Sequence, residues 1–157
     1  MDEKEAKQLS LGLMASTEAV YVTTIDWDGF PQTRVMFNLR FREQFPSLTE
    51  IFEGHEDDLL VYLATNTSSA KINQIKTNPA GCVYYCNVKE FHSLMLPGKF
   101  EFVDAPEIKK ALWQEGWEIY YPKGPSDPDY TVLRLFPVRA KGWYKDGAFE
   151  FSLKDKT

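Results

Sequence analysis

Hydroxyl groups and a lysine directly follow an apolar run near the middle of the sequence. The run is Leu59–Thr65, and the residues after it are Asn66, Thr67, Ser68, Ser69, Ala70 and Lys71. A hydroxyl can donate a hydrogen bond to an anionic oxygen, and an ammonium group adds a full positive charge. Residue types in this order could bind a phosphate group.

The elements around this turn would bring its donors together. The apolar run is typical of a buried strand, and residues 70–79 predict a short helix with Ser68 or Ser69 as N-cap and Asn78-Pro79 as its end. A helix N-terminus offers unpaired N–H groups and the positive end of the helix dipole, to which Thr65, Thr67, Ser69 and Lys71 would add donors. The same pattern also fits a connecting helix with a capping serine and a solvated lysine, and the local sequence does not separate the two interpretations.

Composition limits the partners of the chain. Its 157 residues include 23 acidic and 18 basic ones, and the net charge of −5 disfavours binding to nucleic acid or to an anionic membrane. No apolar run approaches the roughly 20 residues of a membrane helix, and the charged start Met1–Glu5 is unlike a secretory signal, so the expected location is the cytoplasm. The length favours a single domain spanning residues 1–157.

Neither a metal site nor a catalytic group is predicted. Cys82 and Cys86 lie four residues apart in a predicted strand, about 13 Å and therefore beyond disulfide reach. His55 and His92 do not complete a zinc-type ligand spacing with them. His92 fits a solvent-facing strand position as well as a catalytic role, and no general acid, base or nucleophile can be assigned.

Residues 19–25 and 32–41 predict a hairpin whose second strand alternates in character. One face carries Thr33, Val35, Phe37, Leu39 and Phe41, and the other carries Arg34, Met36, Asn38 and Arg40. The second face could be solvent-exposed, which is the preferred interpretation for Arg40. Alternatively, Arg34, Met36 and Asn38 could line a cleft.

The order of the remaining elements favours an antiparallel barrel with packed helices. A helix over about residues 3–15 comes first, strands dominate the chain, and short turns join neighbouring strands without a regular βαβ repeat. Trp113, Trp117, Tyr120 and Tyr121 cluster near a turn-rich loop, where they could form core, cover a ligand or contact a partner chain.

Six motifs occur in an order that resembles a known family. They are Arg34-Val35-Met36, Leu63–Asn66 with Ser69 and Lys71, Ile75–Pro79, Gly98–Asp104, Tyr121–Asp129, and Leu133–Val138 with Trp143. In this order the chain resembles the flavin-binding split barrels related to pyridoxamine 5'-phosphate oxidase, and especially their general stress protein branch.

The resemblance implies a mostly β (α+β) fold: a six-stranded antiparallel split β-barrel of Greek-key type with flanking short helices. It also implies a homodimer that binds flavin mononucleotide (FMN) in clefts between subunits. Its implied cofactor contacts are Arg34, Val35 and Met36 along the flavin, Thr65 and Asn66 near the ribityl chain or ring, and Ser69 and Lys71 at the phosphate.

The implied function is that of a flavin-dependent oxidoreductase acting on an unknown small molecule, with a reductant such as a nicotinamide nucleotide. Three departures from the vitamin-pathway oxidases argue against pyridoxamine 5'-phosphate as substrate. Ala70 replaces a phosphate-binding arginine, Leu39 replaces a substrate-binding lysine, and the C-terminal Arg-Leu-x-Pro signature is missing. The alternatives are a non-catalytic, stress-linked carrier of flavin, deazaflavin or haem, and a dimeric structural module with an empty site.

Overall fold

The computed structural model describes residues 1–154, which carry four α-helices and eight strands. The helices are α1 (Glu3–Ser16), α2 (Thr49–Phe52), α3 (Ala70–Thr77) and α4 (Pro106–Leu112). The strands are β1 (Ala19–Ile25), β2 (Pro31–Phe37), β3 (Val61–Asn66), β4 (Ala80–Asn87), β5 (His92–Val103), β6 (Tyr130–Pro137), β7 (Arg139–Tyr144) and β8 (Gly147–Ser152). The single-domain assignment over residues 1–157 stays a prediction, and its last three residues lie outside the described part.

All strands pair antiparallel in one curled sheet with the order β2-β1-β4-β5-β6-β3. The long β5 also pairs with β7, which continues into β8. The predicted mostly β split-barrel class is therefore confirmed, with six strands on the main path and a terminal hairpin attached to it. The end strands β2 and β3 are not paired with each other, but they approach across a cleft.

Helix α1 packs one core against the sheet. Asp2 caps the helix by accepting a hydrogen bond from the backbone of Glu5 at 2.8 Å, and Leu13 and Met14 pack into a cluster that includes Leu94 of β5. Burial of each such side chain contributes about 1.5–3 kcal/mol to folding. The helix predicted over residues 3–15 is confirmed, and it packs against β4, β5 and β8.

Strand β2 ends at Phe37 rather than at Phe41 as predicted, because Asn38 turns the chain. Its buried side-chain amide donates to the carbonyl oxygens of Met14 at 2.8 Å and Thr17 at 2.7 Å. Its side-chain oxygen accepts from the backbone N–H of Arg40 at 3.1 Å. Asn38 therefore belongs to a structural turn and not to the wall of a cleft.

The expectation that Arg40 lies in solvent was wrong. The Arg40 Nε donates to the carbonyl of Leu60 at 3.0 Å, and the guanidinium lies 4.4 Å from the ring centre of Phe52. Arginine can pack its flat guanidinium on an aromatic face while it satisfies backbone carbonyls. Alternation along a strand could not predict this, because the strand has already ended at Arg40.

The aromatic cluster near the turn-rich loop is mostly core. Trp117 and Tyr121 are buried, and Trp113 lies edge-on to Tyr130 with ring centres 5.2 Å apart. Of the four aromatic residues singled out in the sequence, Tyr120 is the one that stays exposed. Core packing is thus the main use of this cluster, and it fixes the loop that borders the cleft.

No helix within residues 1–154 is long and apolar enough to cross a membrane.

Candidate functional site

A cleft of about 510 Å³ opens between β2 and β3, the two end strands of the main sheet path. Six of the seven cofactor-binding residues predicted from the sequence line it, namely Arg34, Val35, Met36, Thr65, Asn66 and Lys71. The seventh, Ser69, lies beside them through its contact with Lys71. Residues that are distant in the sequence are therefore brought together, and whether they bind a cofactor stays a prediction.

The ammonium of Lys71 is buried against two hydroxyl groups. Its Nζ donates to Thr65 Oγ1 and to Ser69 Oγ, each at 2.7 Å, and the residue is only 8% exposed. Because each hydroxyl oxygen accepts from the ammonium, each hydroxyl proton is available for another acceptor. Within residues 1–154, no carboxylate forms a salt bridge with Lys71.

Helix α3 begins at the same point. Ser69 is its N-cap residue, as predicted, but the Ser69 side chain makes no capping hydrogen bond and turns to Lys71 instead. The helix ends at Thr77, with Asn78 as C-cap, also as predicted. The N-terminal end of the helix dipole is therefore close to the three converging donors.

Thr67 does not join this group, contrary to the sequence-based expectation. Its hydroxyl donates to the carbonyl of Pro128 at 2.9 Å and lies 2.6 Å from the hydroxyl of Thr131. Thr67 therefore faces β6, and its role is to fix the turn.

Arg34 supplies a second cation to the cleft. Its guanidinium donates to Thr24 Oγ1 at 2.7 Å, to the carbonyl of Gln32 at 3.0 Å and to Gln74 Oε1 at 3.3 Å. All these partners are neutral. Thr24 and Gln74 are buried residues that sequence analysis missed, because only the tertiary fold brings β1 and α3 to Arg34.

The surroundings of both cations disfavour positive charge. Burial, and then the nearby Arg34, lower the pKa of Lys71 below that of a lysine in water. Burial also lowers the pKa of the Arg34 guanidinium, which nevertheless stays charged. Within residues 1–154 neither cation forms a salt bridge, so their positive potential would favour an anionic group bound beside them.

Asp129 clamps the turn between β3 and α3. Its carboxylate accepts from the side-chain amide of Asn66 at 2.6 Å and from the backbone N–H of Ser68 at 2.9 Å. The hydrogen bond from Asn66 has the largest effect in lowering the pKa of Asp129, and the hydrogen bond from Ser68 lowers it further. The amide nitrogen of Asn66 is thus already engaged, which leaves its carbonyl oxygen for a ligand. Asp129 could not be assigned to this turn from local sequence, because it lies more than 60 residues from Asn66.

The other end of the cleft is apolar and aromatic. Val35 and Phe37 are 62% and 41% exposed, and the ring of Phe37 lies 6.3 Å from that of Tyr120. Tyr121 also borders the cleft with part of its otherwise buried ring. Phe37 lies about 10 Å along β2 from Arg34, so the cleft joins a cationic end to an aromatic end. Glu18 and Gln44 are further lining residues that the sequence analysis missed.

An exposed apolar strip runs from this end of the cleft across the outer face of β2, β1 and β4. Tyr21 lies opposite Val35 on one side and Tyr84 on the other, and the two tyrosines are 45% and 38% exposed. Contiguous apolar surface of this kind is typical of an interaction site.

Comparisons with known proteins found a matching family model and similar solved structures. The family model described as "Pyridoxamine 5'-phosphate oxidase like" matches residues 51–155. The crystal structure of a protein from Clostridium acetobutylicum, related to general stress protein 26 and to the pyridoxinephosphate oxidase family, is 30% identical with a TM-score of 0.77. That match covers 97% of this chain and 96% of the other.

Two further solved structures share the fold at lower identity. A pyridoxamine 5'-phosphate oxidase-related, FMN-binding protein from Nostoc punctiforme is 14% identical with a TM-score of 0.64, and 99% of each chain is covered. A heme-binding protein from Mycobacterium smegmatis is also 14% identical, with a TM-score of 0.66, and 94% of this chain and 57% of that chain are covered. No curated protein matches the chain.

Proposed function

Because the chain belongs to the pyridoxamine 5'-phosphate oxidase-like family, we propose that it binds FMN in the cleft between β2 and β3 and acts as a flavin-dependent oxidoreductase. The observation that carries the proposal is the buried ammonium of Lys71, whose hydrogen-bond partners in the described part of the chain are two hydroxyl groups. A phosphate would supply the missing negative charge.

The residues present fit a phosphate ester. Lys71 would contribute charge, Thr65 and Ser69 would donate their free hydroxyl protons, and Arg34 would add a second positive charge nearby. The start of α3 would favour the same anion. Hydrogen bonds to charged groups contribute about 1.5–3 kcal/mol each, which is enough for phosphate binding to dominate the affinity.

The apolar end of the cleft fits a flat ring system. Val35, Met36 and Tyr120 would contact it, and the carbonyl oxygen of Asn66 would accept a hydrogen bond from the ring or the ribityl chain. When bound, the flavin supplies hydride and electron transfer, which side chains alone do not perform. The chain's contribution is to orient the ring, and no acid or base is assigned.

Pyridoxamine 5'-phosphate is not the expected substrate. Leu39 occupies the position at which the family resemblance implies a substrate-binding lysine, and it is 1% exposed within the core that also contains Trp117. Ala70 is exposed and carries no charge. A second phosphate dianion would lack a cation to pair with, which is unfavourable by a few kcal/mol in a partly desolvated cleft.

The protein would act as a cytoplasmic homodimer. The strip formed by Tyr21, Val35 and Tyr84 is the surface we assign to the partner subunit, since aromatic residues are enriched at the buried centres of interfaces. The strip adjoins the aromatic end of the cleft through Val35, so a partner seated on it would border the flavin ring.

The first experiment tests the cofactor. The purified protein should show the two-band visible absorption of an oxidised flavin, and mass spectrometry of the heat-released compound should give FMN.

Fluorescence titration of the apoprotein with FMN tests the phosphate contacts. Binding should be at least tenfold weaker for Lys71→Ala, since one charged contact contributes about 1.4–3 kcal/mol. The double variant with Lys71→Ala and Ser69→Ala should lose further affinity. Lys76→Ala, a change at an exposed lysine of the same helix, is the matched control. Unchanged affinity of the double variant would refute the phosphate assignment.

The second experiment separates enzyme from carrier. A non-catalytic carrier of flavin, deazaflavin or haem is the second candidate, favoured by the uncharged Ala70 at the cofactor turn. Reduction by nicotinamide nucleotides, followed by reoxidation with small quinones or nitro compounds, should show turnover for an oxidoreductase. Flavin that is bound but never turned over with any donor and acceptor pair would support the carrier, and a Soret band would indicate haem.

A further inference from the structure

The side-chain carbonyl oxygen of Asn66 is a hydrogen-bond acceptor without a donor in the described part of the chain. Asn66 ends β3 and lines the FMN cleft together with Thr65. Its side-chain nitrogen donates to the carboxylate of Asp129 at 2.6 Å, whereas no group of residues 1–154 donates to its side-chain oxygen. This oxygen is therefore available to a donor on a ligand.

The chemistry of Asp129 fixes which end of the Asn66 carboxamide is free. The hydrogen bond from Asn66, and then that from Ser68, lower the pKa of Asp129, which is therefore ionised at pH 7. An ionised carboxylate can only accept hydrogen bonds, so the nitrogen of Asn66 must point to it. A neutral amide in place of Asp129 could bind either end of the carboxamide. Asp129 thus determines that Asn66 offers an acceptor to the cleft.

Asp129 is itself held in place by the loop before β6. The buried carboxylate of Asp127 accepts from the backbone N–H of Asp129 at 2.8 Å and from that of Lys123 at 2.9 Å. The backbone carbonyl of Asp129 accepts from the N–H of Thr67 at 2.8 Å. Because its backbone is fixed on both sides, Asp129 can hold Asn66 in one orientation.

The position of Asn66 indicates which part of a ligand it would contact. Asn66 directly follows Thr65, whose hydroxyl lies 2.7 Å from the ammonium of Lys71 in the proposed phosphate site. Since consecutive Cα atoms are about 3.8 Å apart, a ligand group that reaches Asn66 must be close to the phosphate. In a ribityl phosphate the groups nearest the phosphate are hydroxyls, which can donate a hydrogen bond.

We propose that Asp129 is a positioning residue that makes the cleft select a phosphate ester with hydroxyl groups on the adjoining carbon chain. It would do so by holding the carboxamide of Asn66 with its oxygen towards one of these hydroxyls. The inference rests on the proposed binding of FMN, whose ribityl chain carries such groups. It disfavours haem, because the ionised carboxylates and apolar edge of haem offer the oxygen of Asn66 no donor.

The test compares FMN with an analogue in which an unsubstituted five-carbon chain joins the same ring to the phosphate. Fluorescence titration of the parent apoprotein should show about fivefold tighter binding of FMN than of the analogue, as one hydrogen bond would provide. Asn66→Ala should lower the FMN affinity by about the same factor and leave the affinity for the analogue unchanged. Both measurements are independent of turnover.

Asp129→Asn is the decisive variant. Its side-chain oxygen can still accept from the backbone N–H of Ser68, but its NH₂ group can donate to the oxygen of Asn66 and occupy this acceptor. The FMN affinity should fall about fivefold, although removal of a negative charge would by itself strengthen phosphate binding. Asp104→Asn makes the same charge change at an exposed residue outside the cleft and should not weaken binding.

The double variant with Asn66→Ala and Asp129→Asn separates positioning from a purely structural role. If Asp129 acts through Asn66, the double variant should bind FMN as tightly as Asn66→Ala alone. In the ligand-free protein, the ¹⁵N signal of the Asn66 side chain should shift in Asp129→Asn and stay unchanged in Asp104→Asn.

Three results would overturn the inference and leave the proposed FMN binding intact. They are equal binding of FMN and the analogue by the parent chain, an equal loss of both ligands in Asp129→Asn, and additive losses in the double variant. Failure of both ligands to bind would instead refute the proposed function, and this inference with it. Asn66→Ala leaves Asp129 to hold Ser68, so the hydroxyl contact is tested even if Asp129→Asn does not fold.

Discussion

The side-chain oxygen of Gln74 lies 3.3 Å from a guanidinium nitrogen of Arg34 and thereby connects α3 to β2. Thr24 completes the connection, because its hydroxyl donates to the same oxygen of Gln74 and accepts from Arg34 at 2.7 Å. These hydrogen bonds fix the position of β2, which carries Arg34, relative to α3, which carries Lys71. The two cations of the cleft share one rigid support.

Replacement of Gln74 by glutamate should weaken FMN binding by about tenfold. The new carboxylate would lie beside Arg34 and pair with it, which reduces the positive charge available to a phosphate. Fluorescence titration at constant ionic strength measures the effect. Asn73→Glu is the matched control, since it adds the same charge at the neighbouring, exposed position of α3. An equal loss in both variants would show that only net charge matters.

FMN affinity should fall as the pH rises towards 10. The pKa of Lys71 is lowered by burial and by Arg34, so its ammonium is lost at a lower pH than that of a lysine in water. A bound phosphate favours the ammonium, and above the lowered pKa the affinity should therefore fall by up to about tenfold per pH unit. Titrations between pH 7 and 10 should show this slope in the parent chain, whereas Lys71→Ala should give a flatter profile. Parallel profiles would mean that another group titrates.

Alkaline pH should unfold the protein partly through Tyr121. Burial raises the pKa of Tyr121 to about 12 from an ordinary value of 10. Between these values the unfolded chain loses the proton and the folded chain keeps it, so the free energy of unfolding decreases as pH rises above 10, by up to about 1.4 kcal/mol per pH unit. Urea unfolding of Tyr121→Phe should show a shallower decrease, while Tyr120→Phe, at an exposed ring, should follow the parent chain.

Tyr21→Glu should convert the proposed dimer into a monomer. The side chain lies in the middle of the apolar strip, between Val35 and Tyr84, and a charge there would be buried without a partner in the interface. Sedimentation velocity at micromolar concentration measures the change. Val138→Glu places the same charge at an exposed valine outside the strip and should leave the dimer intact. A parent chain that sediments as a monomer with FMN bound would refute the assignment.

Local sequence was enough to predict the centre of the cleft. The order of strand, hydroxyl-rich turn and helix fixes the spacing of Thr65, Ser69 and Lys71, because all three lie within seven residues and their geometry follows from one β-to-α connection. Arg34 could be placed on one face of β2 by alternation, but that face could not be assigned to the cleft from alternation alone.

Long-range contacts determine the features of the site and fold that local sequence did not predict. Gln74 reaches Arg34 because α3 packs on β1, and Asp129 reaches Asn66 because β3 pairs with β6. Neither residue has a local signature. Trp117 was a candidate for a partner surface because an aromatic residue near a loop has the same sequence pattern whether a core or a second subunit covers it. Asn38 ended a strand through contacts with α1 that lie more than 20 residues away.

The cleft between β2 and β3 has a consequence that we expect during synthesis of the chain. Both are end strands of the main sheet path, so each presents one row of backbone amides to whatever lies beside it. FMN bound between β2 and β3, as proposed above, would stabilise the folded form according to its concentration. Cells starved of riboflavin should therefore accumulate this protein in inclusion bodies, and the soluble yield should recover when the vitamin is supplied.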